Sequence, residues 1–275
     1  MFSFPMRPLP GSSLLVSRLG LGTVKFGRNE QVKYPEPFDL PTDSEILHLL
    51  ETARECGINL LDTAPAYGSS EERLGKLLGT RRNDWVISTK AGEDFEGGRS
   101  SFDFRGTAIR NSVERSLQRL RTDRVEIVML HSDGNDVGIL QDTDAVATLC
   151  ELRDEGKVCN VGISTKTVEG GCLAFEMGLD LVMATYNAWH TEELPVLDAA
   201  MAAGKAVLIK KAFSSGWFGD VPGMPTTLPQ AMDPVEHSLR TVFAHPASLA
   251  VIVGTLRESH LRANAAVVAK VLTTG

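Results

Sequence analysis

The stretch INLLDTAPAYGSSEERLGKLL (58–78) reads as a strand, a tight turn and a helix. INLLDT (58–63) is a short apolar run that closes on polar residues, the pattern of a buried strand. From about Ser70 onward, Leu74, Leu77 and Leu78 recur at helical spacing and turn one face inward. A strand followed at once by a helix predicts a βαβ unit and a parallel sheet.

The unit repeats in both directions. Upstream, RLGLGT (18–23) is a strand that follows an N-terminal hairpin. Its helix spans about 43–56, with Thr42 and Glu45 at capping-box spacing, Ile46, Leu49, Leu50 and Ala53 on one face, and Gly57 as the stop. Downstream come WVISTK (85–90), a helix near 106–121 carrying Ile109, Val113, Leu117 and Leu120, and RVEIVMLH (124–131). A helix with Ala145, Leu149 and Leu152 leads to VCNVGIST (158–165), then a Gly-containing helix to LDLVMATY (179–186). A helix with Leu194, Leu197 and Met201 precedes AVLIK (206–210), and a short one near 234–244 precedes SLAVIVG (248–254). A last helix starts at about Glu258.

Strands and helices thus alternate eight times, which predicts a single (β/α)8 TIM barrel domain over residues 1–275 with an N-terminal β-hairpin. An open doubly wound sheet is the rival. Its marker, GxGxxG after the first strand, is missing, because GLGT runs into KFGRN.

Composition narrows the function. A chain of 275 residues with net charge −7 has no basic block for nucleic acid or an anionic membrane. MFSFPMRPLP lacks the apolar run of a secretory signal, so a cytoplasmic protein is expected. Cys56, Cys150, Cys159 and Cys172 form no CxxC pair and read as buried free thiols. His48, His190, His237 and His245 stand alone, and no metal site is expected.

Two long loops, 24–42 and 211–232, follow strands and fall at the C-terminal mouth, where barrel enzymes keep their active sites. Asp62, Lys90 and His131 close three successive strand patterns, and Tyr67 lies in the turn after the first of them. On neighbouring strand ends these four side chains can converge. The group suits carbonyl reduction: Tyr67 as proton donor, Lys90 lowering the phenol's pKa, Asp62 holding Lys90, and His131 orienting the carbonyl oxygen.

LDTAPAYGSSEERLG (61–75) resembles the signature of the aldo-keto reductases. Lys90, SLQRLRTDRVEIVMLH (116–131) and VGIST (161–165) are similar to further motifs of that family in the same order. The chain is identified as a short-tailed, bacterial-like member. The resemblance implies NAD(P)(H)-dependent reduction of aldehydes and ketones by an Asp-Tyr-Lys-His tetrad at Asp62, Tyr67, Lys90 and His131. It implies cofactor contacts at Gly22, Thr23, Asp62, Ser164, Thr165 and Tyr186, with Lys210, Ser214, Ser215 and Gly216 near the phosphates. Thr255, Arg257, His260 and Asn264 fit its adenosine-phosphate site, where an Arg at a helix N-terminus favours NADP(H) over NAD(H). Gly254, Ala263 and Met183 depart from the family's residues at their positions.

A small-molecule carbonyl or alcohol substrate is expected, bound by Tyr67, His131, Phe26 and Trp217, with Tyr34, Phe95 and Trp189 as further wall candidates. A monomer or weak homo-oligomer is expected. Two alternatives stand: an NAD(P)-dependent aldose or sugar dehydrogenase on the same fold, and a cofactor-binding regulatory subunit, against which the intact tetrad argues.

Overall fold

The computed structural model describes residues 5–32, 34, 37–213 and 233–274. Eight parallel strands close into a barrel: β3 (Leu19–Gly22), β4 (Leu60–Asp62), β5 (Val86–Ala91), β8 (Val125–His131), β9 (Val158–Ser164), β10 (Leu181–Thr185), β11 (Ala206–Lys210) and β12 (Ser248–Val253). A two-stranded hairpin, β1 (Arg7–Pro8) with β2 (Leu15–Val16), precedes it. A second hairpin, β6 (Glu93–Glu96) with β7 (Arg99–Phe102), rises from the end of β5. The helices are α1 (Val24–Gly27), α2 (Asp43–Glu55), α3 (Ser70–Leu78), α4 (Gly106–Leu120), α5 (Asp136–Gln141), α6 (Ala145–Asp154), α7 (Val168–Glu176), α8 (Leu194–Ala202), α9 (Pro234–Ala244) and α10 (Glu258–Thr274).

Two apolar clusters follow from strand alternation. Outward-facing residues such as Val128, Leu130, Val182, Ala184, Val207 and Ile209 pack under the helices. Leu60, Val86, Ile127, Met129, Leu181, Met183 and Leu208 fill the barrel interior, so the barrel is a packed core and no pore. Leu9 and Val16 of the first hairpin are fully buried in that same interior cluster. Gly20 makes room there: a Cβ on it would stand 2.6 Å from Ile252 Cδ1 and 2.8 Å from Leu60 Cδ2.

Because side chains alternate with period two, the inward set at the C-terminal ends of the strands can be named. Continuing with that period from Leu60, Met129 and Leu208, the next inward positions are Asp62, His131 and Lys210, and on β5 Val86 is followed inward by Ser88 and Lys90. Ser164, Thr185, Gly22 and Gly254 take the corresponding places on β9, β10, β3 and just past β12. A polar layer therefore caps an apolar one, at the C-terminal ends of the strands.

Local chemistry holds the surrounding elements. The Thr42 capping box forms in full, with the Thr42 amide donating to Glu45 Oε2 at 2.7 Å. Arg73 on α3 donates to the Phe26 carbonyl at 2.6 Å and to the Pro41 carbonyl at 2.5 Å, tying both ends of the first mouth loop to the barrel.

Candidate active site

Lys90 and Asp62 form the centre. The Lys90 ammonium donates to both Asp62 oxygens at 2.8 Å and to the Thr63 carbonyl at 2.9 Å, and both side chains are almost fully buried. Asp62 also accepts from Ser88 Oγ at 3.1 Å. A buried ion pair is strongly destabilising only when one partner is removed, so this geometry fixes both groups. Burial alone would lower the Lys90 pKa, but the Asp62 carboxylate and the Tyr67 phenol drive it above its usual value.

Tyr67 lies in the short 3-10 turn Pro65–Tyr67 between β4 and α3. The Lys90 ammonium stands 4.8 Å from the centre of its ring. The His131 ring meets it edge-on, with centroids 6.3 Å apart. All four members of the expected tetrad therefore meet at one end of the barrel. One expectation changes in sign. Lys90 does pull the phenol's pKa down, but burial outweighs it, Asp62 and Glu93 add to the rise, and Tyr67 sits above its ordinary value.

Around this centre lie groups that the strand pattern alone did not pick out. Glu93, at the start of the second hairpin, places Oε2 2.7 Å from His131 Nδ1. Its other oxygen accepts from Ser100 Oγ at 2.6 Å. Burial alone would raise the Glu93 pKa, but the His131 ring, Ser100 and Arg28 hold it at about 2. Arg28 donates to the Ala66 carbonyl at 3.0 Å and its guanidinium stacks 3.5 Å over the Phe95 ring. The signal that could have found Glu93 is an acid three residues past Lys90, but only the folded hairpin aims it at His131.

The expected cofactor residues occupy two zones. In the first, Lys210 donates to Ser164 Oγ at 3.0 Å and to the Thr165 carbonyl at 2.6 Å, reaching across β10 to the end of β9. Burial brings the Lys210 pKa down to about 8. Thr165 Oγ1 is buried with no hydrogen-bond partner among the described residues. An orphaned hydroxyl beside Ser164 at the barrel mouth suits an amide ligand, so these residues fit a nicotinamide carboxamide. Tyr186 is buried in the core cluster beneath the helices. Thr23, by contrast, spends its hydroxyl on the Asp62 carbonyl and on Ser70, and Gly22 lies under Ile252.

The second zone is the start of α10. Thr255 Oγ1 accepts from the Arg257 amide at 3.1 Å, and the amides of His260 and Leu261 donate to the Arg257 carbonyl at 3.1 Å. Arg257 and His260 are exposed and Asn264 is half-buried one turn on. Ser214, Ser215, Gly216 and Trp217 lie outside the described residues. Of the wall candidates, Phe26 is fully buried in the hydrophobic core and offers no surface to a ligand. Tyr34 and Phe38 pack edge-on beneath the Lys25 ammonium, and Tyr34 Oη would stand 3.0 Å from a Cβ on Gly254. Trp189 packs edge-on against His237.

The model of the Aldo/keto reductase family matches residues 18–221. The chain belongs to the aldo/keto reductase family. A solved structure from Pseudomonas aeruginosa, described as of this family, is 47% identical, with a TM-score of 0.84 over 97% of this chain and 96% of that one. The holo form of an aldo-keto reductase from Bacillus halodurans gives a TM-score of 0.81 at 25% identity, covering 96% of this chain and 90% of that one. Among curated relatives, the oxidoreductase YqkF of Bacillus subtilis is 28% identical across 94% of this chain and 89% of its own length. An NADH-specific methylglyoxal reductase of Escherichia coli is 33% identical across 69% of this chain and 62% of its own length. A D-threo-aldose 1-dehydrogenase of a Pseudomonas species is 30% identical, across 74% and 68%. The aldo/keto reductase assignment makes the chain an oxidoreductase of a family that uses nicotinamide cofactors.

Proposed function

We propose that this aldo/keto reductase moves hydride between NADP(H) and the carbonyl or alcohol carbon of a small molecule, with Tyr67 as general acid and base. The observation that carries the reading is the Lys90 ammonium, held between the Asp62 carboxylate at 2.8 Å and the Tyr67 ring at 4.8 Å. A regulatory binder has no use for a buried ion pair aimed at a phenol.

The nicotinamide supplies or receives the hydride when bound. The chain's own residues do the rest. Ser164 and the Thr165 hydroxyl, unpartnered among the described residues, would hold the carboxamide, with Lys210 fixing Ser164. Reduction leaves negative charge on the substrate oxygen, and Tyr67 Oη delivers the proton to it. The raised Tyr67 pKa keeps that proton in place at neutral pH. In the oxidative direction the phenol must lose its proton, and the fixed Lys90 charge favours that loss. Arg257, exposed just before the N-terminus of α10, would read a 2′-phosphate through its charge and the helix dipole.

The D-threo-aldose 1-dehydrogenase among the relatives supports a second reading with the same machinery, oxidation of a sugar. A panel of aldehydes, ketones and aldoses, followed by the absorbance of reduced cofactor in both directions and with both cofactors, tests the two. Turnover of simple carbonyls with NADPH is the expected result; turnover confined to aldoses with NAD would replace it with the second reading.

A further inference from the structure

Lys90 and Lys210 both take inward positions at the barrel mouth, but their charges are met differently. Lys90 donates to both Asp62 oxygens at 2.8 Å, a closed ion pair. Lys210 donates to a neutral hydroxyl, Ser164 Oγ at 3.0 Å, and to the Thr165 carbonyl at 2.6 Å. It forms no ion pair among the described residues. Glu193 attracts it from the N-terminal cap of α8, but Glu193 Oε1 is occupied by the Thr185 amide at 3.1 Å. Glu193 Oε2 is buried with no hydrogen-bond partner among the described residues. The Lys210 charge is thus left without a carboxylate in contact.

That charge stands where Ser164 and Thr165 fit a carboxamide. An ammonium has no lone pair, so Ser164 Oγ accepts from Lys210 and keeps its own proton for a ligand. Nicotinamide carries its amide directly on the ring. The oxidised ring is a cation and the reduced ring is neutral, so a fixed ammonium beside the amide repels only the oxidised form. Like unit charges within about 10 Å, at an effective dielectric constant of about 20, shift a binding ratio by about tenfold or more.

We propose that Lys210 is a specificity-determining residue whose ammonium, beside the amide site at Ser164 and Thr165, disfavours the cationic oxidised ring and biases the protein toward the reduced cofactor. This rests on the functional reading above and adds a direction to it. Carbonyl reduction takes up the reduced cofactor and releases the oxidised one, and the Lys210 charge favours both events.

The charged groups facing Lys210 are Glu193 from the cap of α8, Asp136 from α5, Lys90 from β5, His131 from β8 and its neighbour Lys211. They act on a bound ring as well, but substitution at Lys210 isolates its own share. Burial brings the Lys210 pKa down to about 8, so the charged form prevails at neutral pH and is lost as pH rises through that value. The bias should fade over the same range.

Fluorescence titration without substrate measures the ratio of the Kd for NADP+ to that for NADPH, with NAD+ and NADH as a second pair. At pH 7 the ratio should be lower in Lys210→Met than in wild type by about tenfold or more. Lys210→Arg, which keeps the charge, should retain the wild-type ratio. In wild type the ratio should fall between pH 7 and 9.5, and in both variants it should stay flat. A merely structural lysine would weaken both forms alike. A ratio that Lys210→Met leaves unchanged overturns the proposal, as does a wild-type ratio that does not move with pH. The pH series needs no variant, so it decides the matter even if Lys210→Met fails to fold. Binding of both forms at an unchanged ratio removes this proposal alone; a protein that binds neither form removes the functional reading beneath it.

Discussion

Lys210→Met tests how the mouth of the barrel is wired. Lys210 is an inward residue whose charge is carried in a largely desolvated place, which brings its pKa from 10.5 to about 8. Between those two values the unfolded chain holds a proton that the folded chain has released. Folding stability must then rise with pH across that window and be lowest below pH 8. The gap from about 8 to 10.5, at about 1.36 kcal/mol per pH unit, gives an upper bound of about 3 kcal/mol. Lys210 is not fully enclosed, and screening reduces the expected rise to about 1–2 kcal/mol. The methionine variant lacks this proton. It also leaves Ser164 Oγ and the Thr165 carbonyl without their Lys210 donor, a constant offset at every pH. Denaturant unfolding of both proteins at pH 7, 8, 9 and 10 separates the two effects. Wild type should gain on the variant by about 1–2 kcal/mol between pH 7 and 10. Parallel stability profiles would show that Lys210 does not titrate as its burial demands.

Arg257→Ala should weaken NADPH binding about ten- to a hundredfold and leave NADH binding nearly unchanged, since each hydrogen bond to a charged group contributes about 1.5–3 kcal/mol. Fluorescence titration with both cofactors decides it, and equal losses would show that Arg257 does not read the 2′-phosphate. Gly75→Ala should destabilise the fold by about 1–3 kcal/mol or more, because a Cβ there would stand 2.0 Å from the Arg119 carbonyl and force α3 away from α4. A thermal midpoint equal to that of wild type would contradict this close approach.

Much of the barrel was legible because strand and helix periods differ so plainly. The expected strand 206–210 coincides with β11, and the expected helix 106–121 differs from α4 by one residue at its end. The tetrad was legible for the same reason: Asp62, Lys90 and His131 end apolar strands on the inward parity. The hairpin β6–β7 escaped because EDFE and RSSF bury no apolar face, so no alternation marks them. With the hairpin went Glu93, whose approach to His131 depends on a fold-back that no local pattern encodes. Phe26 misled in the opposite way. An aromatic in a mouth loop reads as substrate wall, but the single turn of α1 rotates it into the core. The pKa of Tyr67 also needed the structure, since the residue types announce the Lys90 charge but not the depth of burial that outweighs it.

The central claim is that Tyr67 gives and takes the substrate proton under the fixed charge of Lys90. Tyr67→Phe removes one oxygen from a ring held between the Lys90 ammonium and the His131 edge, and leaves the packing of that ring intact. Steady-state turnover of the best carbonyl substrate, paired with cofactor titration of the same variant, measures the claim directly. The account predicts a kcat lower by about 10²–10⁴-fold with cofactor affinity within about threefold of wild type. Turnover near that of wild type would contradict it.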